Sequence, residues 1–355
     1  MKHLMFLKTA GSAFLLPAAS IFILLLSGCN EEPSLSRPDV SHLSIDTEIR
    51  RFERDLFALD SQAILQGRAV LDSQYGEFAK IYFGRLLSID NPITVPEGPE
   101  AYLKGFLFHP SIMHLYDTVQ LVFPNLNAEK KQFDLAFKYL QYYFPERPTP
   151  SITTFISEYS VGNFIYGQDE LAVGLDLYLG KDYPYANIDP SNPMFSTYLT
   201  RTYNRDHLVS RTLKPLLEDI AGPVQGERMI DHIIRNGKVL YLMELLLPEV
   251  PDTARLEFTP EQVTWCVENE RNIWSYFLSE NLLYSTDWKT YRKFIEYSPN
   301  SPGMPEEAPG RTGDFIGLQI IYAWFKKHPD ATPADLMRII ETQQILDGSM
   351  YKPRR

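Results

Sequence analysis

Ile152-Thr-Thr-Phe-Ile-Ser157, Gly162-Asn-Phe-Ile-Tyr166 and Leu171-Ala-Val-Gly-Leu-Asp-Leu-Tyr-Leu179 carry the β signal of this chain. The three runs are rich in β-branched and aromatic residues. Tyr159-Ser160 and Gln168-Asp169 fall between them as turns, so together they read as a three-stranded meander. Alternation within the third run places Asp176 and Tyr178 on one face and Leu175, Leu177 and Leu179 on the other. A charge-rich alternating segment, Ile45 to Phe57, reads as an additional first strand.

Outward from this centre the patterning is helical. On the N-terminal side, Asp60 is placed to cap a helix through Leu71, and a second helix covers Glu77 to Leu87. Two short helices within Gly98 to Phe123 are divided by His109-Pro110. Phe133, Phe137, Leu140 and Phe144 recur at helical spacing after Asn127. On the C-terminal side, helices cover Asn204 to Ile220, interrupted or kinked at Pro215, and Arg228 to Leu247. Thr259-Pro-Glu-Gln262 has the form of a capping box and opens a helix to about Ser279. A Gly- and Pro-rich loop spans 298–310, Thr312 to Lys327 is helical, and Thr332-Pro-Ala-Asp335 caps a last helix. The expected fold class is mainly α (α+β): a helical domain around one small central antiparallel or mixed sheet.

The N-terminus has a separate logic. Lys2 and Lys8 precede an apolar segment from Thr9 to Leu26, which ends in Leu26-Ser27-Gly28-Cys29. Small residues before a cysteine fit a lipoprotein signal peptide over residues 1–28, with Cys29 lipidated and then exposed as the new N-terminus. Each buried methylene of an acyl chain such as palmitate contributes about 0.8 kcal/mol, so a multiply acylated cysteine is a durable membrane anchor. The competing reading is an uncleaved transmembrane segment, for which about 18 apolar residues suffice. Pro17 and the Leu-Ser-Gly-Cys ending favour cleavage. Residues 29–44 form an acidic and polar linker, in which Glu31-Glu32 suits either a solvated spacer or a sorting signal for surface export. A single globular domain is expected over 45–355.

Composition narrows the function. The chain has 34 basic and 45 acidic residues; loss of residues 1–28 leaves 32 against 45. An acidic chain without a basic block is a poor ligand for nucleic acid. With Cys29 lipidated, Cys266 has no partner, and no disulfide is expected.

Motifs of known chemistry are missing. The seven histidines include no His-Glu-x-x-His pair; His207 leads Leu-Val-Ser-Arg211 and His232 leads Ile-Ile-Arg-Asn236. No Gly-x-Ser-x-Gly elbow, P-loop or dinucleotide fingerprint is present. No metal, cofactor or catalytic residue is therefore assigned. Gly310-Arg-Thr-Gly-Asp-Phe-Ile-Gly317 stands out, because glycines near a helix start cost about 1 kcal/mol each unless close packing needs them. Arg311 and Asp314, three apart, are placed to pair with each other or to face a pocket.

Gly174-Leu-Asp-Leu-Tyr-Leu-Gly-Lys-Asp-Tyr-Pro184, Met229-Ile-Asp-His-Ile-Ile-Arg-Asn-Gly-Lys-Val-Leu-Tyr241, Leu245-Leu-Leu-Pro248, Thr259-Pro-Glu-Gln262, Glu280-Asn-Leu-Leu-Tyr-Ser-Thr-Asp287, Gly310-Arg-Thr-Gly313 and the Tyr351-Lys-Pro ending resemble, in collinear order over about 45–355, the gliding-motility lipoprotein GldB family of Bacteroidota. The resemblance implies a lipid-anchored component of the cell envelope, with protein partners in the gliding and secretion machinery. It also implies a distant likeness to zinc metallopeptidases, in which a small sheet precedes a helix with His-Glu-x-x-His and a second helix with a Glu ligand. Here those places read Asp206-His207-Leu-Val-Ser-Arg211 and Arg235-Asn236-Gly237-Lys238. The implied core is a degenerate zincin-like one retained for binding. Asp176, Tyr178, His207, Asp231 and Arg311 are the candidate polar groups around that relict groove. The expected function is a non-enzymatic binding or assembly component; the alternative is an envelope hydrolase, metal-dependent or acting through a carboxylate pair on peptide or glycan.

Overall fold

The structure, a computed structural model, describes residues 37–93 and 95–354. The signal segment, Cys29 and the first half of the linker lie outside the described residues. Four strands, β1 (Ile49–Arg51), β2 (Ile152–Phe155), β3 (Asn163–Tyr166) and β4 (Glu170–Gly174), form one sheet. Helices α1 (Phe52–Phe57), α2 (Ile64–Tyr75), α3 (Glu77–Ile81), α4 (Pro99–Leu107), α5 (Pro110–Val122) and α6 (Asn127–Tyr143) precede β2. After β4 come α7 (Thr197–Thr200), α8 (Arg205–Ala221), α9 (Met229–Leu246), α10 (Asp252–Arg255), α11 (Pro260–Glu268), α12 (Glu270–Ser279), α13 (Trp288–Tyr291), α14 (Thr312–Lys327), α15 (Pro333–Arg338) and α16 (Thr342–Ser349). The fold is mainly α with one small mixed sheet, as the patterning predicts. None of the described helices is long and apolar enough to cross a membrane.

The sheet is not a meander. Its order is β1-β2-β4-β3, with β1 parallel to β2, β2 parallel to β4, and only β3 antiparallel to β4. Burial explains the order. Every residue of β2 is buried, and so are Leu171 to Gly174 of β4, as befits parallel strands covered on both faces. Three of the four residues of β3 are partly exposed, and β3 takes the edge. Tyr166 and Glu170 close the β3–β4 hairpin over Gly167 and Asp169, both in the left-handed region with φ of 59° and 71°.

Several elements are shorter than their patterns suggest. The first strand stops at Arg51, because Phe52 and Leu56 are fully buried at helical spacing and draw the chain into α1. Asp60 caps a turn, accepting from the Gln62 amide at 2.9 Å, and α2 begins four residues later. The helix from Glu77 ends as a turn of π-helix over Tyr82–Leu86. The run Leu171–Leu179 ends as a strand at Gly174, where a Cβ would overlap the Val161 carbonyl. A 3-10 turn over Leu175–Leu177 follows, so alternation does not orient Asp176 and Tyr178. The helix from Thr259 carries its capping box but breaks at Asn269, whose side chain donates to the Trp265 carbonyl at 3.0 Å. The last helix is two, α15 and α16. By contrast α8 continues through Pro215.

Strand alternation separates two helical layers. Phe164 stacks on Phe78, joining a core of Phe52, Tyr82 and Phe155 beneath α1 to α4. Its neighbour Asn163 faces the opposite way and donates to Thr212 of α8 at 2.9 Å. α9 packs against α8 and, most extensively, against α14. Gly237 of α9 and Gly317 of α14 lie at that crossing, and a Cβ on either would overlap the backbone of the other helix. The glycines at the start of α14 are thus required by close packing.

Candidate functional site

A cavity of about 610 Å³ opens between α8, α9, the chain after α10, and the start of α14. Spacing decides which side chains reach it. Lys214 and Glu218 are four apart on α8, and His232, Arg235 or Asn236, Val239 and Met243 recur at three or four residues on α9, so each set shares one helix face. Glu257 comes from the loop after α10, Tyr297 from the segment before the Gly-Pro loop, and Arg311 and Asp314 from the entry to α14.

Glu257 is the hub. It is 5 % exposed and its backbone is left-handed, with φ of 54°. Arg211 Nε lies 3.4 Å from Oε1, the Tyr297 hydroxyl donates to Oε1 at 3.0 Å, and Arg201 donates to its carbonyl at 2.5 Å. Burial alone would raise this carboxyl; Arg211, Lys214 and Arg311 overcome burial and hold it down to about 2. Lys214 donates to the Tyr297 hydroxyl at 3.1 Å.

Arg311 also has left-handed backbone, with φ of 60°. Its guanidinium donates to the Leu256 carbonyl at 2.5 Å and lies 4.4 Å from the centre of the Tyr297 ring. It meets Asp314 at 3.7 Å, completing the Arg311–Asp314 pair that the sequence spacing allows. Asp314 accepts from Asn236 at 2.8 Å. Burial pushes Asp314 up to about 6, against the pull of Arg311 and Asn236.

The five candidate polar groups do not converge. Arg311 lines the cavity. Tyr178 is buried, is not part of the cavity lining, and donates to Asn163. His207, near the start of α8, pairs through Nδ1 with Asn204 Oδ1 at 3.0 Å, and burial lowers its pKa. Asp176 lies elsewhere, fully buried, accepting from the amides of Ser157 at 3.1 Å and Tyr159 at 2.6 Å; burial pushes it up to about 6. Asp231 is held in the capping box of α9, where it accepts from Arg228 at 2.7 Å and from Thr342, tying α16 to α9. Both aspartates therefore organise backbone rather than the cavity. Glu257, Lys214 and Tyr297 are the residues that sequence reasoning missed. No spacing links them, since they lie on three elements brought together only by packing.

The Asp206-His207 and Arg235-Asn236 segments lie on α8 and α9, which are consecutive and pack together. Among the described residues no group of three or more His, Cys, Asp or Glu side chains is placed to hold a metal ion.

The family model for gliding motility protein GldB matches residues 34–353. No curated protein and no solved structure matches the chain.

Proposed function

The chain belongs to the family of gliding motility protein GldB, and from that premise we propose that it is a non-enzymatic binding or assembly component of the gliding and secretion machinery, anchored to a bacterial membrane through lipid on Cys29. The family match over nearly the whole length carries this reading. The cavity supports it: charged groups converge there, yet most are engaged in holding one another.

The test is recovery of the native lipidated protein from crosslinked envelopes, beside a Cys29→Ala control, with metal analysis of the same sample. Co-purification of gliding or secretion components, lost with Cys29→Ala, and well under one metal per chain is the expected result. Absence of such partners together with about one metal per chain overturns it.

A second reading, an envelope hydrolase, draws on one observation. Two carboxylates lining one cavity, Asp314 and Glu257, are pushed to about 6 and about 2. Divergent environments of this kind suit a general acid beside an ionised carboxylate. Hydrolysis of peptide or glycan by the purified protein, abolished by Asp314→Asn, would move the assignment to this reading.

A further inference from the structure

Charge does not balance around Glu257. Arg201, Arg211, Lys214 and Arg311 gather there, against Glu257 itself and Asp314. The outer cations of the cavity are matched: Arg235 meets Glu218 at 3.6 Å, and Arg255 meets Glu244 at 3.5 Å. Glu296, the remaining acid of the lining, is exposed to water at the rim. The inner cluster is left with two more positive than negative groups.

Lys214 embodies the surplus. Among the described residues its ammonium has one hydrogen-bond partner, the Tyr297 hydroxyl, and no carboxylate within ion-pair distance. That hydroxyl gives its own proton to Glu257, so it can only accept from Lys214. The ammonium has protons to spare for a ligand, and Lys214 lines the cavity. Beside it, Glu257 Oε2 is buried without a hydrogen-bond partner. Lys214 is half-buried, so its ammonium is open to the cavity, while burying the Glu257 acceptor without a partner is costly; a cation with protons to spare beside a strained anion is poised for a ligand. Glu257 and Arg311 in left-handed backbone add strain at the same place. The adjoining wall is apolar, formed by Val239, Leu240, Met243 and Ile295 with Trp288 at its edge.

We propose that this cavity binds an α-carboxylate with its adjacent N–H and an apolar side chain, the end shared by free amino acids and peptide C-termini. Lys214 and Arg311 take the carboxylate, the negative charge of Glu257 attracts the N–H, and the apolar wall takes the side chain. A phosphate fits less well, because its second charge would face Glu257 and Asp314. The volume of about 610 Å³ admits a residue and its neighbours. This inference rests on the reading of the protein as a binding component and names the ligand chemistry of its site.

The test uses the full-length chain in detergent, followed by thermal unfolding and calorimetry. The probes are tripeptides ending in Leu, Met or Phe as free acids, the same tripeptides C-amidated, the three free amino acids, and inorganic phosphate. Free acids should raise the melting temperature in a concentration-dependent way. The amides should bind at least tenfold more weakly. Lys214→Met should abolish the response to free acids, and the unliganded variant should melt somewhat lower than the wild type, since Lys214 helps to hold Glu257 ionised; Lys214→Arg, which keeps the charge and the stability, should retain part of the response. A stronger response to tripeptides than to amino acids identifies a peptide C-terminus, and the reverse a free amino acid. Equal binding of acids and amides, an unchanged response in Lys214→Met, a phosphate response matching the acids, or no response to any probe overturns the proposal. The envelope pull-down is independent of these probes, so partners recovered there without any peptide response would refute the ligand and leave the binding role standing.

Discussion

The Tyr297 hydroxyl donates to Glu257 at 3.0 Å, and this one bond joins the loop after α10 to the segment leading into α14. Because the same hydroxyl accepts from Lys214 at 3.1 Å, α8 is drawn into the junction as well. Glu257 is the anion on which that junction depends, and its removal reaches three elements at once.

Glu257→Gln should destabilise the fold by about 3–5 kcal/mol, because Arg211, Lys214 and Arg311 would be left without their central counter-charge. The wild type should show the matching acid sensitivity. Its carboxyl is held at about 2 in the folded state, below the ordinary 4.5. The lowered value contributes stability that is present above pH 4.5 and is lost as pH falls toward 2, about 3 kcal/mol in all. Urea unfolding from pH 7 to pH 2.5 should show this slope in the wild type and a shallower one in Glu257→Gln. Parallel curves would refute it.

Asp314 should act with the opposite sign. Burial pushes it from 3.8 up to about 6, so its stabilising protonated form is complete below pH 3.8 and lost as pH rises through 6. Asp314→Asn keeps the shape and removes the buried charge. It should therefore gain on the wild type between pH 4 and pH 7, read as a melting-temperature difference that grows with pH. A constant difference would show that Asp314 is ionised throughout.

Gly317→Ala should be severely destabilising, on the order of 4 kcal/mol or more, because its methyl group would overlap the Ile233 carbonyl across the α9–α14 crossing. Gly105 of α4, where a Cβ meets nothing within 4 Å, is the control. Gly105→Ala should be neutral or mildly stabilising. Denaturant midpoints for the two variants decide it.

Cys266 should be inert. It is fully buried, and burial pushes its thiol up to about 12. In Cys29→Ala protein, a thiol reagent at pH 8 should label no cysteine in the native state and one after unfolding. Native labelling at the rate of a free thiol would show that α11 opens readily.

Part of the architecture could be read without coordinates. The helix pair divided at His109-Pro110, the capping box at Thr259, the helix from Thr312 to Lys327 and the need for close packing at its glycines are local matters of period, cap and side-chain size. The order of the sheet was not legible in this way. Three successive strands can pair as a meander or with the last strand between the first two, and only burial from both faces selects the second. Asp176 and Asp231 look like site residues in a linear reading because polar groups among apolar ones attract attention. Each instead satisfies buried backbone or a helix cap, a role set by amides several residues away.

What the sequence determined by itself was the helical character, the small β region and the family, since periodicity and collinear motifs need no knowledge of contacts. What the tertiary structure alone decided was the cavity. Lys214, Glu257, Tyr297 and Arg311 are separated by up to 97 residues and share no spacing rule. Their charges interact because the packing of α8, α9 and α14 brings them within a few ångströms of one another, and electrostatic attraction depends on distance and solvent exposure rather than on position along the chain.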